Sequence, residues 1–582
     1  LLIIHPKDYF GIEEFWFLLD RLFSFSSRLS AVTIHYAHIA GHIMEESNKG
    51  LLLKDTSIIT MESSTVLSNH DVKIEKGSIK DINPTGVIPI GPNCEVIDCS
   101  GKFTIPGLMD MHVHLLQEEE MLLYLANGVT SVRNMWGAPI HFYWREKMKN
   151  EELFCPNIYT TSPLMDGSPA IWPNSVVFEN PEEAKQVVSE YKRIGYQQLK
   201  VYNGLSKKIY DAIWESGIKH QMPLVGHVPF ALDLDYVLDK GQYCVEHFDG
   251  FTWRLIPQDD LKGWNPNDTV STLEILKKID ETAIPIVIDK VIQTGTWICP
   301  TLVVMIPFDL ESERTFLERP ENDYLLPSTL REWSSMTASA RQDPAMIKYQ
   351  NIEKDLSKMY ASQLREAGGK MIVGTDTPNP HVIPGFSIHD ELESLVETGY
   401  TPYEVLEGCT KNGAEFMNDL DVVGTVSIGK RADLLLLDEN PLMNISNTRK
   451  RYGIVWWGKW FPQKTLDKRM EDLRKSMVKK GEEAKKPQER KEIDINRDTL
   501  MKYVGEYGLM PNFILTITRE NDRLISKVTG EPKLEIFPES NTKFFFKAFD
   551  AQIKFPEGNY KNAAQLTLRQ NDRDMVAKRI SS

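Results

Sequence analysis

Eight short apolar runs recur along the middle of the chain, each followed by a longer helix-compatible stretch. They are MDMHVHL, VTSVRNM, IYTTS, QLKVY, PLVGHV, YCVEHF, WICPTLVV and MIVGTD. Alternation of buried strands with helical segments is the pattern of a parallel sheet, and eight such units predict an α/β chain closed as a (β/α)8 TIM barrel. The stretch between Val304 and Lys370 is longer than a plain strand-to-helix connection and is expected to cover the barrel mouth. The run from Glu391 to Phe416 supplies the last helical region.

The flanks read differently. LLLKDTSIIT, DVKIEKGSIKDI and CEVIDCSGKFTI are β-type runs broken by Asn, Gly and Pro, and VGTVSIGKRADLLLLD (423–438) resembles them far downstream. These predict a composite β-sandwich from residues 50–108 and 418–463, flanking a barrel at 109–417. Residues 464–495 carry mixed charge and one Pro, the composition of a solvated helical linker. FILTITREN, DRLISKV, KFFFKAFDAQIKF and AQLTLRQ predict a small all-β domain over 496–582, with no catalytic constellation. Residues 1–49 form an N-terminal extension whose apolar runs are interrupted by Asp20, Arg21 and Arg28, too broken for a membrane span.

Composition narrows the function classes. The net charge of −15 argues against broad nucleic-acid binding. Six cysteines without CxxC spacing (Cys94, Cys99, Cys155, Cys244, Cys299, Cys409) read as reduced buried thiols, neither a disulfide framework nor a zinc-thiolate site. No membrane partner is expected, and homo-oligomerisation stays open. A cytoplasmic location is weakly favoured, although a secretion signal upstream of Leu1 is compatible with the sequence.

Chemistry concentrates at the ends of the apolar runs. His112 and His114 are two apart on a strand, so both imidazoles face one side, as two ligands of one ion require. His227, His247 and Asp376 each close a run, and Lys200 lies in QLK. In a barrel those ends share one rim, and groups of this type at buried strand ends are costly unless paired or metal-bound. A protonated lysine has no lone pair to offer a cation. A desolvated Lys200 with depressed pKa could instead take up carbon dioxide, giving a carbamate able to bridge two metals. Tyr202 faces the same side as Lys200 and is a candidate contact for a substrate carbonyl or carboxylate; packing at the rim is the competing explanation. His141 and His381 lie in or near loops. His389 opens a helix and reads as structural, as do His35, His38 and His42.

TIPGLMDMHVHL, GTDTPNP, HDELESLVETGYTPYEVLEGCTKNGAEFM and VGTVSIGKRADLLLLDENP together resemble the amidohydrolase superfamily over roughly residues 50–460. Within it the chain is similar to the imidazolonepropionase-like and Xaa-Pro dipeptidase (prolidase) group. The resemblance implies two divalent ions, usually zinc, with His112, His114 and Asp376 on one, His227 and His247 on the other, and carbamylated Lys200 (carboxylysine) between. It also implies a metal-activated hydroxide, with Asp376 as general base and then acid. Two departures bear on substrate. Phe230 stands where mononuclear deaminases carry a Glu, and Val132-Arg133-Asn134-Met135-Trp136 replaces the commoner Val-Arg-Asp-Met-Gly. The expected activity is hydrolysis of an amide C–N bond, classed with bonds other than peptide bonds; a small molecule, N-acyl amino acid or dipeptide is the candidate substrate. A lactone, cyclic amide or organophosphate ester, or an idle metal site in a binding protein, are the alternatives.

Overall fold

The computed structural model describes residues 50–581 apart from 173–174, 263, 265–267, 486–489, 511–512, 529–532, 548–550, 559 and 571–572. The expected N-terminal extension, with His35, His38 and His42, lies outside the described residues. The eight apolar runs close into a ring. Parallel pairing joins Leu108–Val113, Val129–Asn134 and Asn157–Thr160 in one sheet. Leu199–Val201, Leu224–Gly226, Cys244–Glu246 and Trp297–Cys299 are consecutive neighbours in another. Single parallel bridges seal the gaps: Thr161 to Gln198, Ile298 to Met371, and Thr377 back to Val113. The strands are short and buried along their whole length, as parallel strands covered on both faces must be.

Local signals set the flanking helices. Pro181–Ile194 starts at Asn180, whose side chain accepts from the Glu183 amide, and stops at Gly195 with φ 106°. Lys207–His220 begins at Ser206, whose hydroxyl accepts from the Ile209 amide, and ends at left-handed Gln221. Their apolar faces pack on the outside of the barrel, in one continuous core with its strands.

The two flanks meet in one mixed eight-stranded sheet. Leu434–Leu437 runs antiparallel to Phe103–Pro106, so the GKRADLLLLD segment lies beside the strand that leads into the barrel. Gly50–Ile59 is irregular between Leu53 and Ile58, and Asp55 sits at φ 60°. One half pairs with Cys94–Asp98 and the other with Phe103–Pro106, which bends the sheet around Leu53, Ile58, Val72, Leu434, Leu436 and Val455. Asp433 pins this layer to the barrel, accepting from the Trp457 amide, Arg431 Nε and the Asn157 side chain.

The stretch after Val304 folds as Leu310–Leu317, Pro327–Arg341 and Pro344–Glu366, and its middle part stands over the cavity mouth. The residues read as a solvated linker behave otherwise. Gln463–Lys485 is a helix that packs against Glu120–Ala126 and the 3-10 turn Pro320–Tyr324. Leu466, Met470 and Met477 are buried at four- and seven-residue steps, a narrow apolar stripe that the surrounding charge conceals. Beyond it, eight antiparallel strands among the described residues close into a barrel. Its interior is filled by side chains, with the Tyr503 and Phe555 rings stacked at 4.0 Å.

Leu466 is fully buried in the helix that follows the mixed sheet. Leu466→Ala is expected to destabilise the protein by about 2–4 kcal/mol. Denaturant unfolding measures this, and a loss within about 0.5 kcal/mol would show that the helix is peripheral.

Candidate metal centre

One cavity of about 320 Å³ opens at the carboxyl ends of the barrel strands, and His112, His114, Lys200, His227, His247 and Asp376 all line it. Tyr202 does so too. His247 and Asp376 both have positive φ, near 61°, and Gly226 before His227 has φ 125°. The backbone therefore turns sharply where each strand ends, and the side chain swings inward. At Gly226 a Cβ would lie 2.3 Å from the Val201 carbonyl oxygen, so only glycine lets the fourth and fifth strands approach here.

The rings are close together: His112 to His247 4.6 Å, His227 to His247 5.0 Å and His112 to His114 5.4 Å between centroids. Asp376 Oδ1 lies 2.8 Å from His114 Nε2 and 3.1 Å from His112 Nε2, and Oδ2 lies 4.0 Å from His247 Nε2. His112, His114 and Asp376 thus offer three donor atoms within reach of a single ion.

Partners behind the rings decide which nitrogen faces inward. His112 Nδ1 donates to Glu246 Oε2 at 2.8 Å. Glu246 also receives two hydrogen bonds from Arg133 Nη2, and both residues are fully buried. His112 Nε2 then carries a lone pair, is buried, and makes no hydrogen bond although the Asp376 carboxylate is 3.1 Å away. Two acceptors facing each other at that distance repel unless a cation stands between them. His227 is set similarly. Asn203 Nδ2 donates to the Val228 carbonyl and to Asp249 Oδ2, so Asn203 Oδ1 accepts the His227 Nδ1 proton at 2.6 Å. His247 Nδ1 pairs with the Thr301 hydroxyl at 2.5 Å. Ring orientation by such outer partners is the usual accompaniment of imidazole ligands.

Charge states suit cation binding. Burial lowers His114 and His227, and it pushes His247 down to about 3, so these imidazoles stay neutral. Burial also lowers Lys200 below the ordinary lysine range. Burial opposes ionisation of Asp376, but the surrounding imidazoles outweigh it and hold the carboxyl well below normal. A second group of donors, His112, Glu246 and Cys299, is compact but unsuited. Glu246 is neutralised by Arg133, and burial raises the Cys299 thiol far above its usual range.

His141, His381 and His389 have packing or hydrogen-bonding roles away from this cluster. His141 Nδ1 accepts from the Ala138 amide and its Nε2 donates to the Leu115 carbonyl, fixing the loop after His114. His389 pairs with the Thr448 hydroxyl, and His381 stacks on Phe316 at 4.7 Å. Glu246, Asn203 and Thr301 are the site residues that the motifs did not single out. Glu246 was legible in one respect, as a charged residue inside the otherwise apolar YCVEHF.

Comparison with known proteins agrees with this geometry. The pattern of the amidohydrolase family matches residues 268–476, and that of a domain of unknown function, DUF3471, matches residues 489–579. Residues 268–476 therefore carry the amidohydrolase family pattern. Among curated relatives, a dihydroorotase of Carboxydothermus hydrogenoformans is 35% identical over 117 residues, 17% of this chain and 26% of that enzyme. An imidazolonepropionase of Psychromonas ingrahamii is 33% identical over 70 residues, 11% of this chain and 17% of that one. The matched stretches therefore span about a quarter or less of these relatives. Among solved structures, bottromycin amidohydrolase superposes with a TM-score of 0.58 at 22% identity, covering 73% of this chain and 90% of that one. A Xaa-Pro dipeptidase with bound methionine does so at 0.53 and 17% identity, covering 71% and 100%. These structural likenesses establish a shared fold. The cluster at the strand ends is compatible with a binuclear metal site.

Glu246→Gln leaves Arg133 buried without its counter-charge. The expected cost is about 3–5 kcal/mol of stability, together with a roughly 10- to 100-fold loss of metal affinity as the His112 ring loses its partner. Denaturation and metal titration read the two effects separately. Full retention of both would show that the pair does not organise the centre.

Proposed function

We propose that this protein is a metal-dependent hydrolase that cleaves an amide C–N bond at a pair of divalent ions, most naturally zinc given the nitrogen and oxygen donors. The observation that carries this reading is the facing pair of acceptors, His112 Nε2 and Asp376 Oδ1, 3.1 Å apart on the cavity floor. His112, His114 and Asp376 would hold one ion and His227 and His247 the other. Lys200, as its carbamate, would supply an oxygen to each. When bound, the pair supplies a Lewis acid for the substrate carbonyl and a water of lowered pKa.

The protein's own groups do the rest. Asp376 Oδ2 takes the proton of the attacking water and passes it to the leaving nitrogen. Asn379 Nδ2 donates to that oxygen at 2.9 Å and holds the carboxylate in place. The Tyr202 ring packs against His227 at 4.2 Å, tilted by 38°, and its hydroxyl accepts from Trp172 Nε1 at 2.8 Å. Burial raises the phenol, which stays protonated and can donate to a substrate oxygen. Position 230, where the resemblance places a glutamate in mononuclear deaminases, carries the half-exposed Phe230, which has no group to move a proton. The sequence likeness to dihydroorotase supports a cyclic amide as the second reading.

Three measurements test the proposal. Chelation should abolish amide hydrolysis and zinc should restore it; activity that survives complete metal removal would end the hydrolase mechanism. Asp376→Asn, assayed on preparations matched for metal content, should lower kcat by about 10²- to 10⁴-fold. Lys200→Met should halve the metal stoichiometry, and protein labelled with ¹³C-bicarbonate should show a carbamate carbon that this variant lacks. An unmodified Lys200 in fully loaded protein would remove the bridge from the scheme.

A further inference from the structure

The cavity above the metal-ligand candidates has a one-sided chemistry. From the floor outward, Tyr202 lies on His227, Trp172 donates to the Tyr202 hydroxyl, and Trp136 stands 6.1 Å from Trp172 and 5.9 Å from His114. One wall is thus a continuous aromatic surface running from mouth to floor. The helices over the mouth and the helix Gln463–Lys485 add Leu326, Trp333 and Met477 to the lining.

The charged groups of the lining are as uneven. Glu119, Glu120 and Glu332 line the cavity, whereas among the described residues Lys200 is the sole lysine or arginine that does. Lys200 lies on the floor, within the set proposed to hold the metals. Glu119 is paired with Lys480 at 2.7 Å. Glu120 accepts from the Leu116 and Gln117 amides, and Glu332 is exposed on its helix. A substrate carboxylate lying along these walls would lose water without gaining a cation, and would approach fixed negative charge.

We infer that the site takes an uncharged, aryl-bearing amide and discriminates against partners that carry a free α-carboxylate, because the aromatic wall receives a flat ring while, among the described lining residues, no lysine or arginine other than Lys200 is present to receive an acid. This inference rests on the hydrolase reading. It separates the substrates that the sequence left together: free dipeptides and N-acyl amino acids are the disfavoured forms, and their amine counterparts without the acid are the favoured ones. Gln117, Thr329 and Asn379 supply neutral hydrogen-bonding groups suited to such a molecule.

The test uses two ligands that differ only in the acid, an N-acyl phenethylamine and the corresponding N-acyl phenylalanine. Each is made as its ketomethylene isostere so that neither is turned over. Calorimetry on the zinc-loaded full chain should give a Kd lower by about tenfold or more for the uncharged member. Glu332→Arg, an exchange at an exposed position, should narrow that ratio by about threefold or more. Equal or tighter binding of the carboxylate, or a ratio unchanged in Glu332→Arg, overturns the inference. The parent amides tell its failure apart from that of the hydrolase reading. If the zinc-loaded protein hydrolyses neither, the hydrolase reading falls whatever the calorimetry gives. If it hydrolyses the phenylalanine derivative with the higher kcat/KM, the reading stands and the inference falls.

Discussion

A buried charge pair inside the barrel, Glu246 with Arg133, is the interaction on which the site depends. Arg133 also donates through Nε to the Met111 carbonyl and through Nη1 to Gln198, so one guanidinium reaches the first, second, fourth and sixth strands. Such a pair is weak evidence for stability, because desolvation consumes most of the attraction. Its consequence is chemical. Glu246 is ionised because Arg133 and His112 outweigh the burial that opposes it. An ionised Glu246 fixes the proton of His112 on Nδ1 and leaves the Nε2 lone pair pointing at Asp376. The barrel core thereby dictates the protonation state of a residue at its rim.

The same division of labour is repeated around the ring. The strands are buried along their length and bring their metal-ligand candidates to the carboxyl ends. There, positive φ at His247 and Asp376 and the glycine before His227 redirect the chain. Behind three of the four imidazoles stands a neutral or charged acceptor from another segment: Glu246 for His112, Asn203 for His227, Thr301 for His247. A cation fits this arrangement because the partners have already spent the ring protons elsewhere. Without one, neutral imidazoles and an ionised carboxylate converge in a buried space and their lone pairs oppose one another.

How much of this was legible in the sequence follows from the range of the forces involved. Strand ends and the residues on them were legible, since period-two placement and the limits of apolar runs are local properties. His112, His114, Lys200, His227, His247 and Asp376 could be gathered on those grounds, and they do line one cavity. Glu246, Asn203 and Thr301 could not, because their roles depend on contacts across 134, 24 and 54 residues of chain. Arg133 was noticed as part of an unusual motif, but it lies beneath the site and not in the pocket wall. The helix Gln463–Lys485 was misjudged as solvated, because three buried side chains in a strongly charged segment give little periodic signal.

That helix also explains why the motifs locate the centre but say little about the molecule it accepts. The ligand set is fixed by the barrel, whereas Met477 and the Lys480 that pairs with Glu119 come from a segment that follows the mixed sheet, and Trp333 and Leu326 come from the insertion after the seventh strand. Neither segment carries a residue whose chemistry is diagnostic by itself. Their effect lies in what they jointly withhold: among the described lining residues they add mainly apolar surface and the single carboxylate of Glu332, and no lysine or arginine. A carboxylate is excluded from such a wall by energy it fails to recover, not by a contact that a motif would record. Specificity of this kind is carried by the balance of a whole surface, and it becomes visible only when distant segments are seen to enclose the same space.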